Sequence, residues 1–376
     1  MYFSIYDQSH FMNTKAKLFY EVVIIFVISR LIFAIENNII IRITKKLFPE
    51  KSFIDLVNQW DSTWYIGIIK HGYMLSPLTQ PLGMVGQADW AFFPLLPLFA
   101  KALYLLGMPA EWCGIVVNQI AFLLSLWIFY LILLEKIEME YARFGVLIFA
   151  LTPFNIFVSA SYSDTLFMLF SLLAFYNLSH KNYWWAAICG GFLSATRFFG
   201  IVFLLVYLYD AYVSKRKLKL VFILQIILIS SGLLLFMSYL HYHINDALAF
   251  YHIQKAWGHM GVDWLRHPIN AIDTTFMSGQ TYAKWFLILS LLWIPYLIYK
   301  KMYNYAIFSA SCLLAPIAVG TLWSFTRYSL SLFTFYIVVA MIASRSQYLR
   351  YLILMLTVVL HFGFYLLWMT GDAAVL

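Results

Sequence analysis

Long apolar runs separated by short polar breaks dominate the chain. They lie at about 18–36, 91–107, 112–134, 142–158, 164–179, 184–210, 218–240, 284–299, 303–320, 326–343 and 350–369. Most approach the roughly 20 residues a helix needs to cross a hydrocarbon layer. Backbone in lipid must satisfy its own hydrogen bonds, so helices are expected throughout. The pattern predicts an all-α polytopic membrane protein of about 11 transmembrane helices, one domain over 1–376. Two polar stretches, 37–89 and 241–283, are long enough to hold amphipathic interfacial helices. No repeat of fixed period is visible, and no polar stretch is large enough to fold as a soluble domain.

Composition agrees. Hydrophobic residues make up 63% of the 376 and charged residues only 11%, which excludes an ordinary soluble domain. Aromatics reach 20%, as suits many helix ends at two interfaces. The net charge of +8 does not imply nucleic acid, because the basic residues sit in short clusters between apolar runs. Cys113, Cys189 and Cys312 fall within predicted spans, so neither a disulfide framework nor a cysteine metal cluster is expected. The first run carries Arg30 and is followed by no small-residue cleavage site, so it reads as a retained span.

Lysine and arginine set the expected orientation. Lys215, Arg216, Lys217 and Lys219 mark one cytoplasmic turn; Lys300 with Lys301, and Arg345 with Arg350, mark two more. Stretches 37–89 and 241–283 then face outward, although Arg42, Lys45, Lys46 and Lys51 in the first run against the rule. The middle of the chain allows two threadings. In one, 91–107 crosses fully, so Asp164 faces the cytoplasm. In the other, 91–107 is a partial helix led by Pro94 and Pro97, and 184–210 splits near Arg197. The second is preferred: it puts Lys136, Arg143 and Lys181 inside and keeps Arg197 near water.

Several residues could carry chemistry. Asp61 lies among the interfacial aromatics Trp60, Trp64 and Tyr65, and reads equally as a general base or a helix N-cap. Asp89 and Asp164 are further acids that also suit helix starts. Arg197 interrupts an apolar run, where an arginine is costly unless paired or wet. Its planar fork suits a phosphate, and the alternative is a salt bridge to a buried acid. Arg327 opens the tenth run and either snorkels or binds anions. The segment Phe250–Gly258, containing Gln254, Lys255 and Trp257, suits a surface helix. His241, His243, His252, His259 and His267 form no compact metal motif, and no phosphate loop, dinucleotide fingerprint or serine elbow occurs.

In order, Gln59-Trp60-Asp61-Ser62-Thr63-Trp64-Tyr65 with Gly72-Tyr73, Ala91-Phe92-Phe93-Pro94-Leu95-Leu96-Pro97 and Ser161-Tyr162-Ser163-Asp164-Thr165-Leu166-Phe167 resemble the PIG-V type of mannosyltransferase. Thr196-Arg197 with Gly200, the Gln254–Trp257 segment and Arg327-Tyr328 continue the likeness, from about 59 to 330. The resemblance implies a GT-C bundle and an inverting transfer of mannose on the outer or luminal face. The donor would be a polyprenyl- or dolichyl-phosphate sugar and the acceptor a glycan or glycolipid. In eukaryotic members the product is the second mannose of the glycosylphosphatidylinositol precursor. The family often has Glu where this chain has Asp164, and eukaryotic members are longer, which favours a bacterial plasma membrane over the endoplasmic reticulum.

Under this reading Asp61 is the catalytic base, and Arg197, Arg327 and Lys255 meet the donor phosphate. Trp60, Trp64, Tyr65, His71, Asp89, Asp164, Gln254 and Trp257 position the substrates. No cofactor is fixed by the sequence, and a divalent metal stays open. The competing classes are a secondary transporter or lipid-linked sugar flippase, and a non-catalytic membrane partner. A transporter predicts paired halves with interrupted helices, a symmetry the sequence does not display.

Overall fold

A computed structural model describes residues 5–44, 52–80, 84–153, 155–257, 281–318 and 324–370. Among these every regular element is helical. In chain order they are α1 (Ile5–Thr44), α2 (Phe53–Val57), α3 (Asp61–His71), α4 (Leu95–Leu105), α5 (Ala110–Leu134), α6 (Met139–Ala150), α7 (Asn155–Ser159), α8 (Asp164–Ser179) and α9 (Tyr183–Ser194). They continue as α10 (Phe203–Val213), α11 (Leu220–Ile244), α12 (Ala249–His252), α13 (Thr281–Tyr299), α14 (Tyr303–Ala318), α15 (Phe325–Leu330), α16 (Phe333–Ala343) and α17 (Gln347–Thr370). Short 3₁₀ turns cover Asp89–Ala91, Phe198–Val202 and Ile253–Trp257.

Among the described residues four helical stretches are long and apolar enough to cross a membrane: Ala16–Arg42, Ala110–Leu134, Leu220–Ile244 and Gln347–Thr370. This is the make-up of an integral membrane protein. The other apolar runs form shorter helices, and prolines account for part of that. Pro94 precedes α4 and Pro97 stands in its first turn, where a missing N–H costs little. α4 has 11 residues, about 16 Å of rise, or half a hydrocarbon thickness. Thr152-Pro153 divides the predicted 142–158 run into α6 and α7.

Two boundaries differ from the sequence expectation. The stretch expected to leave the membrane after 36 stays helical to Thr44, because neither Gly nor Pro interrupts Glu36–Thr44. α11 likewise runs on to Ile244 and stops where Asn245 turns left-handed. Of the stretch 241–283, residues 258–280, with His259 and His267, lie outside the described residues.

The helices run between two chemically different ends. At one, Arg143 pairs with Glu21 at 2.8 Å, His180 with Glu135 at 3.5 Å, and Arg350 with Glu140. There too Lys136 lies over the Tyr305 ring, Arg345 against Tyr296 and Arg216 over Tyr183. At the other end, Gln59 donates to the Trp368 carbonyl at 2.8 Å, Asn58 to that of Glu111 at 2.9 Å, and His243 bonds the Tyr73 carbonyl at 3.0 Å. Asp61, Asp164, Arg197 and Arg327 belong to this second end.

α9 and α11 meet at a seam of small residues. A Cβ on Gly232 would stand 2.3 Å from the Gly191 carbonyl oxygen and 2.5 Å from the Ala195 nitrogen. The side chain of Ser194 also reaches across, accepting from the Leu233 N–H at 3.4 Å. This contact fixes the height at which α9 ends and Arg197 begins. Gly232→Ala forces backbone against backbone, so we expect destabilisation of about 1–3 kcal/mol, the usual range for overpacking. Thermal unfolding in detergent measures it; an unchanged midpoint would show that the seam yields.

Candidate functional site

A cavity of about 730 Å³ opens at the end away from the basic clusters. Its walls are largely aromatic: Trp60, Trp64, Tyr65, Phe92, Phe198, Phe199, Tyr251, Trp257 and Tyr328 all line it. Trp64 stacks with Phe92 at 5.8 Å, and Trp257 meets both edge-on at 5.9 and 6.1 Å. The polar lining includes Asp61, Ser163, Thr196, Arg197, Gln254 and Arg327. Residues more than 260 positions apart thus share one site.

The floor is an ionic chain. Arg327 donates through Nη1 to Asp61 at 2.6 Å, while its Nε stands 3.8 Å from Asp164 Oδ1. Asp164 accepts from Arg197 Nη2 on its other oxygen, and Arg197 Nε donates to Ser163 Oγ at 3.1 Å. Ser163 Oγ also accepts from the Tyr65 hydroxyl at 2.8 Å. The Tyr328 ring lies 5.3 Å from the Arg197 guanidinium and 5.1 Å from that of Arg327. Asp164 and Arg327 are buried, whereas the Asp61 side chain is 32% exposed and faces the cavity. Two carboxylates against two guanidiniums leave the group with no formal net charge.

Local sequence explains how these side chains arrive. α9 stops at Ser194, and Arg197 is extended before the chain tightens into the Phe198–Val202 turn. Gly200 makes that turn feasible, since a Cβ there would lie 2.0 Å from the Leu193 carbonyl oxygen. Asp61 is the first residue of α3, following Trp60 at φ 55° and ψ −119°, an unusual backbone for a bulky residue. Ser324, which precedes α15, is also left-handed at φ 63°. The expected N-cap role is absent for both acids, as neither α3 nor α8 has a side-chain cap hydrogen bond. Their carboxylates face arginine instead. The site is also recessed. Ser194 is level with Leu233, and α11 rises a further eleven residues, about 16 Å, before it ends.

The structure sorts the remaining expected residues. Asp61, Arg197, Arg327, Trp60, Trp64, Tyr65, Gln254 and Trp257 line the cavity, and Asp164 lies beneath it. Arg197 makes the salt bridge to a buried acid that its sequence position allowed, and it also lines the cavity. Lys255 and His71 are exposed and are not among the lining residues. Asp89 is buried behind the wall, where both oxygens accept from the Met74 N–H, at 3.1 and 3.2 Å. Burial pushes its carboxyl up to about 6, against the pull of the Met74 N–H and of His243. It pins the first polar stretch rather than meeting the cavity. Among the described residues no three His, Cys, Asp or Glu side chains converge as a metal site. The two carboxylates at the cavity are both engaged by arginine, so the donor set does not fit a divalent ion.

Sequence reasoning gave Tyr162 no separate role. Its hydroxyl accepts from the Asp61 N–H at 3.1 Å and donates to the Gln59 carbonyl at 3.2 Å, and its ring lies 5.1 Å from the Arg327 guanidinium. Burial, reinforced by Asp61, raises the hydroxyl well above the ordinary tyrosine range, so it remains a donor. Its place beside Ser163-Asp164 hinted at involvement, but no local signal reveals a contact a hundred residues away. No protein-family profile matches this chain, and no curated protein matches it in sequence.

Asp164 balances two guanidiniums in a buried setting. Asp164→Ala leaves both without that counter-charge, and breaking a buried pair typically costs about 3–5 kcal/mol. A correspondingly lowered unfolding midpoint in detergent is expected, with Asp164→Asn affected less. A wild-type midpoint for the alanine variant would show that the arginines find other partners.

Proposed function

We propose that this chain is an inverting glycosyltransferase of the GT-C class, resembling the PIG-V mannosyltransferases. It would move a sugar from a polyprenyl-phosphate donor to a glycan or glycolipid acceptor. One observation carries the reading: Asp61, Arg197 and Arg327 converge on a single aromatic cavity at the end of the bundle opposite the basic clusters. Inverting transfer needs a base for the acceptor hydroxyl and cations for the departing phosphate. Asp61 is the carboxylate that is open to the cavity. As the acceptor oxygen attacks the anomeric carbon, it takes the hydroxyl proton, and the bond from that carbon to the phosphate oxygen breaks. Arg197 and Arg327 stabilise the charge that returns to the phosphate. Trp64, Phe92 and Trp257 offer faces for the sugar ring and the first part of the lipid.

In this reading the chain makes eleven passes between the two ends, with the short helices α9 and α10 each counting as one. The basic end is then cytoplasmic by the positive-inside rule, and the cavity opens to the outer or luminal face. Arg197 lines the cavity that opens at this end, which supports this over the threading that leaves it enclosed in mid-membrane. Transport across the membrane instead would require no bond to break.

The deciding assay is sugar transfer by purified protein in detergent, where no gradient exists. Polyprenyl-phosphate mannose and a lipid glycan acceptor are the first substrates to try. Asp61→Asn keeps the size and the means to accept from Arg327. It is expected to lower turnover about 10²–10⁴-fold with donor binding retained. Transfer at the wild-type rate would remove Asp61 as the base, and absence of transfer by the wild type across polyprenyl-phosphate sugars would remove the reading itself.

Arg197 is tested separately. Arg197→Lys keeps the charge but loses the fork that reaches Ser163, Asp164 and the cavity together. Weaker donor binding in a protein that still purifies as wild type is the expected result. Equal donor affinity would assign Arg197 to structure alone.

A further inference from the structure

The basic end holds a second, smaller cavity of about 280 Å³ where α10 turns into α11. Tyr183, Arg216, Lys217, Lys219, Phe222 and Gln225 line it, with Val221. Four cations occur within Lys215–Lys219, and the one carboxylate ion-paired there among the described residues is Asp210, 3.2 Å from Arg216. Arg216 is held rigidly: its guanidinium lies 4.0 Å from the Tyr183 centroid and 4.5 Å from that of Tyr207, and Nη2 donates to the Tyr207 carbonyl at 3.1 Å. Its Nε is buried without a hydrogen-bond partner. Lys217 and Lys219 are exposed and form no ion pair among the described residues. Lys219 also gives α11 no side-chain cap, so the positive end of a 25-residue helix opens beside the same cations.

Part of the border is apolar. Val221, which lines the cavity, is exposed, and so is Leu218 between Lys217 and Lys219. The face of α11 turned away from the cavity is apolar and exposed as well, at Leu220, Ile223, Leu224 and Ile227. A cationic recess with an apolar edge matches a molecule with an anionic head and hydrocarbon tails. We propose that this cavity binds the phosphate headgroup of an anionic phospholipid, with Lys217 and Lys219 on the phosphate, Arg216 at its base and the acyl chains leaving past Leu218 and Val221. Basic recesses between membrane helices are suited to such headgroups. The site is separate from the recessed cavity and does not depend on what that cavity does.

The test uses the full chain in detergent, titrated with short-chain phosphatidylglycerol, short-chain phosphatidylcholine or inorganic phosphate. Native mass spectrometry reads occupancy, and thermal unfolding reads stabilisation. Wild type is expected to bind phosphatidylglycerol in preference to phosphatidylcholine and to melt higher with it. Lys217→Gln combined with Lys219→Gln is expected to weaken that binding about thirty-fold, since each lysine near an anionic lipid surface contributes about fivefold. Both side chains are exposed, so the fold should be retained, and an unchanged melting point without lipid verifies it. The charge-matched control is Lys300→Gln combined with Lys301→Gln at the neighbouring turn, expected to bind nearly as wild type. Equal losses in the two double variants would mean general attraction and overturn the site. Equal binding of phosphatidylcholine would overturn the headgroup role. Full stabilisation by inorganic phosphate alone would make this a free-anion site and overturn the lipid assignment.

Discussion

A buried carboxylate shared between two arginines governs the arrangement of this end of the molecule. Asp164 is fully enclosed, and its two oxygens face Arg197 and Arg327. An enclosed charge without a partner is costly in so apolar a bundle, so three separate helix ends are tied to one another. They are the start of α8, the break between α9 and α10, and the helix α15. Arg327 extends the tie to α3 through Asp61. The cavity exists because this cluster joins the walls at their base while the helices continue past it.

The same cluster shows how structural and functional explanations overlap. Arginine in an apolar run invites a choice between salt bridge and ligand binding, and here the salt bridge does not withdraw the side chain from the cavity. Arg197 is bonded to Asp164 and Ser163 yet still borders the cavity. Pairing in advance orients a guanidinium and lowers the reorganisation needed when an anion arrives. The aromatic walls make the surroundings of the cluster less polar, which strengthens the charge interactions at its base.

Much of this was legible in the chain. Apolar runs of about 20 residues specify helices because lipid leaves the backbone no other partner, and Pro94 and Pro97 shorten α4 for a reason visible in the letters. Asp61 stands out by its interfacial aromatic neighbours and Arg197 by interrupting an apolar run, and with Arg327 they reach one cavity. Pattern could not supply range. Nothing local says that Tyr162 reaches Asp61, or that Asp164 faces arginine rather than capping its own helix. Lys255 and Asp89 have the right chemistry near the right segments, but a period of 3.6 does not disclose which side of a short loop helix faces inward. The helix extension to Thr44 was hidden by polar Glu36, Asn37 and Asn38, which resemble a membrane exit but lack a breaker.

Two of the left-handed residues, both beside the site, bear on how the cavity responds to a guest. Trp60 stands directly before Asp61, and Ser324 lies three residues before Arg327, so the backbone on each side of one ion pair is held off its preferred basins. Such conformations persist when their surroundings over-determine them, and here the contact between the two side chains is part of that restraint. Moving Arg327 away from Asp61 would therefore remove one restraint shared by two segments of main chain. Recognition at the floor is in this way mechanically connected to the rim, where Trp60 sits half in solvent.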